Sequence, residues 1–162
     1  MENLMTQEQY KANLQALKQY YVDLNYMDLN PEAVNARLCQ ILQNYSKVTE
    51  YMIGAAINLN LAKKGVKGTE LTRDTAYNTN MFSEACSATV LKSKELREAK
   101  AALLSADAEK TVLDSTYSQL DATAYYDSVK FVYENLQTAL GAMKEQIKLF
   151  QNMLYADPAN RR

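Results

Sequence analysis

The chain has 162 residues, with 18 Lys and Arg against 19 Asp and Glu and a formal net charge of −1. That balance gives no overall field toward nucleic acid or a membrane surface, and the absence of His removes the commonest metal ligand and the commonest general base at neutral pH. Four Gly and two Pro allow few turns, so few and long elements are expected in one domain.

The N-terminal stretch MENLMTQEQY has neither a basic n-region nor an apolar h-region, so it does not read as a signal peptide. Thr6 and Gln9 have capping-box spacing and open a first helix. Its stripe is Tyr10, Leu14, Leu17, Tyr21 and Leu24, and it should fail near Tyr26–Asn30, before Pro31. Asn30 then caps a second helix with Pro31 at its first position. There the apolar residues fall at Val34, Leu38, Ile41, Tyr45, Val48, Met52, Ala55, Leu59 and Ala62, in alternating steps of four and three. This is a heptad stripe that needs a partner of similar length. Gly65 and Gly68 are expected to end that helix after about 33 residues, roughly 50 Å at 1.5 Å per residue. A short connection makes an antiparallel hairpin over about 6–64 the expected geometry.

Residues 65–73 read as a basic, Gly-containing loop, followed by a second hairpin over about 74–156. From Met81 the expected face is Phe82, Ala85, Thr89, Leu96, Ala99 and Leu103. At Ser105–Asp107 the pattern breaks, as a new cap or as a kink. The last helix shows Leu113, Tyr117, Leu120 and Ala124, and then a stripe shifted by one position near Tyr125 that runs through Val129, Val132 and Leu136 to Leu154. Apolar residues off the main stripe, such as Phe131 and Tyr133, call for more than one neighbour. Asp157 and Pro158 end it, leaving 157–162 as a frayed tail. The fold class that follows is all-α: four or five helices in long antiparallel hairpins or a helical bundle.

Chemistry is sparse. No phosphate-binding Gly-rich loop, zinc-protease pattern or Cys–His pair occurs. Asp121, Asp127 and Glu134 read as a solvated face rather than a metal site. No catalytic residue, cofactor or metal is expected, and the chain reads as non-enzymatic. Cys39 and Cys86 stand alone beside apolar neighbours and read as buried, inert thiols in a reducing, cytoplasmic setting. The longest uncharged run, Tyr51–Ala62, is too short to cross a bilayer, so a soluble protein is expected.

Two features point to binding. Lys63, Lys64 and Lys67 cluster at the expected end of the long helix, as dipole-complementing cations or as a phosphate contact. Lys92, Lys94, Arg97 and Lys100 are offset by Glu95 and Glu98 and read as a salt-bridged surface. There are also twelve Tyr beside three Phe and no Trp. Tyr10, Tyr21, Tyr45, Tyr117 and Tyr125 lie on core stripes. Tyr20, Tyr26, Tyr51, Tyr126 and Tyr133 do not, and suit a protein interface better than stacked bases.

Three local segments, in order and with their flanks about a third of the chain, carry a family resemblance. They are LAKKGVKG (Leu61–Gly68), LLSAD (Leu103–Asp107) opening a long helix, and IKLFQNM (Ile147–Met153) after LQTALGAMK (Leu136–Lys144). In these the chain resembles the phage recombination mediator family UvsY. The resemblance implies a non-enzymatic, all-helical homo-oligomer that binds single-stranded DNA and helps load a recombinase onto DNA covered by a single-strand-binding protein. It would place nucleic-acid contact on Lys63, Lys64 and Lys67. The oligomer interface would fall on Leu136, Leu140, Met143, Ile147, Phe150 and Leu154. The mildly acidic balance departs from the usual basic character of such binders. The competing expectation is a structural or regulatory module, such as a virion component, scaffold or inhibitor, that engages another protein and no nucleic acid.

Overall fold

The protein is all-α. The computed structural model describes residues 4–25 and 30–156, and among them there is no strand. Four α-helices follow in order: α1 (Gln7–Leu17), α2 (Pro31–Met81), α3 (Lys94–Leu104) and α4 (Ala106–Ala156). The two long helices have 51 residues each, about 75 Å at 1.5 Å per residue. The capping box forms as the sequence predicts: Gln9 N–H donates to the Thr6 hydroxyl, and Thr6 N–H donates to the Gln9 side chain. Asn30 caps α2 by accepting from Glu32 N–H at 2.9 Å.

Helix α2 does not stop at Gly65. The expected loop over 65–73 is helical throughout, and no described residue has positive φ. The heptad explains why. After Ala62 the same alternating steps reach Val66, Thr69, Arg73, Ala76 and Asn80, all half-buried. Both glycines lie on the exposed side, where no neighbour comes within 4 Å of an added Cβ. Two threonine hydroxyls reinforce this turn by donating to helix carbonyls, Thr69 to Val66 at 2.8 Å and Thr72 to Gly68 at 3.0 Å. The glycines weaken the helix locally without changing its course.

Two other boundaries differ from expectation. Helix α1 ends at Leu17 and closes with a 3₁₀ turn at Lys18–Tyr20, and Tyr21 is extended. The helix expected from Met81 begins only at Lys94. Between them Phe82 is 89% exposed and a 3₁₀ turn spans Glu84–Cys86. Hydroxyl groups hold this stretch out of the helix. The Ser83 hydroxyl donates to the Asn80 carbonyl at 2.6 Å, and those of Ser87 and Thr89 bond to each other at 2.8 Å. Ser93 then caps α3. The break at Ser105 is a single residue, with φ −103° and ψ 8°. The buried Ser105 hydroxyl donates to Ala101 and accepts from the Asn80 side-chain amide, both at 2.9 Å.

The chain falls into two compact units. One comprises Met5–Ala56 with α4 from Tyr125 onward. Its core joins Tyr10 and Leu17 of α1 to Val34, Ile41, Val48 and Ala55 of α2 and to Val129, Val132, Leu136 and Met143 of α4. Each fully buried aliphatic side chain contributes about 1.5–3 kcal/mol of transfer free energy. The other unit is built on Ile57–Ala124. Its core is made mostly of small groups, Ala62, Cys86, Ala101, Val112 and Ala122, with Leu59. Here the face of α4 that turns inward passes through Val112, Ser115, Gln119 and Ala122. The more apolar stripe expected there, Leu113, Tyr117 and Leu120, is exposed.

The cysteines also part company. Cys86 is buried, as expected, whereas Cys39 is exposed, and both are free. A thiol reagent added to the native protein should therefore label Cys39 quickly and Cys86 only after denaturation. Counting labelled thiols before and after denaturant checks this. Gly65→Ala and Gly68→Ala should each stabilise the protein by about 1 kcal/mol in urea unfolding, since both sites are helical and open. A loss of stability would show that the chain turns there.

Candidate functional site

Lys63, Lys64 and Lys67 lie on α2 and are exposed. They sit on a continuous helix, not on the tip of a turn. Lys63 and Lys67 are one turn apart and therefore share a face. Among the described residues none of the three forms an ion pair, although Glu70 stands one turn after Lys67; farther along, Arg73 and Asp74 are joined to each other at 2.8 Å. Arg73 also approaches Glu109 at 3.7 Å, and these carboxylates hold its guanidinium more firmly protonated than usual.

The second cationic group is bridged at one of its four residues. Lys94 pairs with Glu98 at 3.5 Å, and the Ser93 hydroxyl bonds to the Glu95 carboxylate, which lowers its pKa. Of the expected solvated acids, Asp127 and Glu134 are exposed and Glu134 pairs with Lys130 at 3.7 Å, while Asp121 is half-buried. Among the described residues no three His, Cys, Asp or Glu side chains converge on a point that suits a metal ion.

The six residues named for an oligomer interface divide. Leu136 and Met143 are buried in the chain's own core and so are not offered to a second copy. Leu140, Ile147 and Phe150 are half-buried, and the Leu154 side chain lies outside the described residues. Leu149 and Met153, which the stripe left out, are exposed. The split has a simple cause. The buried positions 125, 129, 132, 136, 139 and 143 form one seam, and side chains beside it are only partly covered.

The tyrosines form a structural set that periodicity did not reveal. The Tyr10 and Tyr125 rings lie 5.1 Å apart, and Asn13 donates to the Tyr125 hydroxyl at 3.3 Å. Burial raises the Tyr125 pKa. The Tyr45 and Tyr133 hydroxyls meet at 2.5 Å, with Gln137 donating to Tyr45 at 3.4 Å. The bond between the two hydroxyls holds the Tyr45 pKa below the usual phenol value and raises that of Tyr133. Tyr20 and Tyr51 pair at 6.3 Å, so two of the residues placed off the core stripes are ring partners. Tyr21 and Tyr117, placed on core stripes, are exposed. Tyr26 lies outside the described residues.

Tyr21 stacks on Phe131 at 5.9 Å and 10°. With Leu14 and Leu17 the pair lines an open apolar groove of about 770 Å³ between α1 and α4, whose charged residues are Lys18 and Asp127. The groove exists because the segment after α1 is pinned to α4. Val22 N–H donates to the Asn135 side-chain oxygen at 2.9 Å, and the Asn135 amide donates to the Val22 carbonyl at 3.0 Å. One buried amide thus satisfies both backbone groups of Val22. Arg37 adds a bond to the Asp23 carbonyl at 2.6 Å. An Asn one turn from the stripe positions Val132 and Ala139 was the signal in the sequence for this clamp.

Asn135→Ala should cost about 1–3 kcal/mol in urea unfolding, because it removes two bonds to partly buried backbone groups. It should also speed amide exchange at Val22. Unchanged exchange there would mean that the clamp does not hold the segment.

No protein-family model, curated protein or solved structure matches the chain, so its surfaces have to be read from their own residues.

Proposed function

We propose that this protein is a non-enzymatic helical binding protein that self-assembles, and that its assembled form binds single-stranded DNA as a recombination mediator of the UvsY type, helping to load a recombinase. The observation that carries the association part is exposed apolar surface. Leu71, Phe82, Leu103, Phe131 and Met153 are between 62% and 89% exposed. Apolar side chains left this open gain free energy when another chain covers them. For self-assembly the group near the end of α4 is the best placed, with Leu149 and Met153 exposed beside half-buried Ile147 and Phe150. It overlaps the segment on which the family resemblance puts oligomerisation.

The DNA part rests on the three exposed lysines of α2, Lys63, Lys64 and Lys67. A single copy offers few phosphate contacts, and an assembly multiplies them. A second reading is favoured by the net charge of −1 and by the apolar groove between α1 and α4: a virion component, scaffold or inhibitor that engages another protein.

The mass of the protein in solution, with and without an unstructured oligonucleotide at low and moderate salt, separates the two. A closed oligomer that takes up oligonucleotide at low salt and releases it at moderate salt is the expected result. A monomer indifferent to DNA would favour the second reading. Lys63→Ala with Lys64→Ala should weaken DNA binding and flatten its salt dependence by roughly 0.7 in slope per lost phosphate contact. An unchanged slope in that double variant would remove these lysines from the DNA contact.

A further inference from the structure

The first third of α4 carries an apolar seam that the chain itself leaves open. Leu113, Tyr117 and Leu120 follow one another at steps of four and three and are 51%, 58% and 59% exposed. They face away from Val112, Ser115, Gln119 and Ala122, which turn inward on the opposite side. In a heptad, Leu113 and Leu120 take d positions and Tyr117 takes a. The e positions are then Asp107, Asp114 and Asp121, an aspartate at every seventh residue. Asp107 and Asp114 are exposed, and Asp121 is half-buried. On the other flank, the g positions are Glu109, Thr116 and Thr123. Glu109 reaches Arg73 at 3.7 Å. From Ala106 to Ala124 there are four acidic residues, and Lys110, at an a position ahead of Leu113, is the lone cation.

This flank decides what fits the seam. Paired antiparallel with the same seam of a second copy, the aspartate row would face its own image. Paired parallel, it would face Glu109, Thr116 and Thr123. Neither register brings a cation to the aspartates, and like charges at these positions are how coiled coils reject a partner. A helix with Lys or Arg beside its own apolar seam meets the row with opposite charge.

We propose that this face of α4 is a docking site for an amphipathic helix of another protein, one whose apolar seam is flanked by basic residues. The lower end of the interface scale suits it, since three apolar anchors make a small, reversible contact. The charges act mainly on selection and on encounter rate.

The test uses the full-length protein and two fluorescent helical peptides that share Leu at a and d. One carries Lys at e and g, the other Glu. Anisotropy should show the Lys peptide binding and the Glu peptide weaker by on the order of tenfold, with the gap closing as salt rises. Leu113→Ser with Leu120→Ser should weaken the Lys peptide on the order of tenfold at unchanged helix content, as exposed positions allow. Asp107→Asn with Asp114→Lys should abolish the preference between the peptides. Equal affinity for both peptides, or a preference that survives the aspartate variant, would overturn the proposal. So would a fall in the mass of the protein's own assembly on Leu113→Ser with Leu120→Ser, since that would make a second copy the occupant.

Discussion

The constraint that governs this chain is a shortage of covering helix. Two helices of 51 residues each present apolar side chains around much of their circumference, and α1 and α3, of 11 residues each, are the short helices available beside them. A helix buries one stripe against one neighbour, and a second stripe needs a second neighbour. The chain satisfies one seam on each long helix and leaves others to solvent. Exposed Ile53, Leu71, Leu113, Leu120 and Phe131 follow from that arithmetic of faces, not from any local failure to fold.

The two units meet the constraint differently. Around Ile41, Val48, Val129 and Leu136 the buried residues are large and branched, and α1 closes the third side through the ring contact of Tyr10 and Tyr125. Around Ala62, Ala101 and Ala122 the buried residues are small and the polar bond between Asn80 and Ser105 takes part in the packing. Small side chains bury little area, so the second unit draws less on hydrophobic transfer and more on close approach and on paired polar groups.

Much of this was legible in the residues. The Thr6 and Gln9 capping box, the Asn30 and Pro31 start and the stripe from Val34 to Ala62 all read directly, because capping and periodicity are local. The continuation of α2 past Gly65 was missed: Val66, Thr69, Arg73, Ala76 and Asn80 keep the spacing, but Thr69, Arg73 and Asn80 are polar and do not extend the apolar stripe. Two glycines drew attention from it, although glycine ends a helix only where the backbone turns left-handed. What the sequence could not disclose was which of two seams on α4 faces inward. Leu113, Tyr117 and Leu120 look more like core than Val112, Ser115, Gln119 and Ala122, yet small residues let a neighbour come close and larger ones do not. The lysines of α2 were legible as a cluster, but their setting within a continuous helix was not. The tyrosine pairs and the Asn135 clamp join residues far apart in sequence, beyond the reach of periodicity.

That clamp has a consequence for the order in which the protein is made. The bonds between Val22 and Asn135 span 113 residues. Contacts of such separation are slow to form, because the intervening chain must first be ordered or looped. During synthesis α1 and the Val22 segment emerge well before α4, and Val22 meets its anchor only when the middle of α4 has emerged. The segment after α1 is thus secured late, and until α4 arrives Tyr10 lacks the Tyr125 ring it packs against.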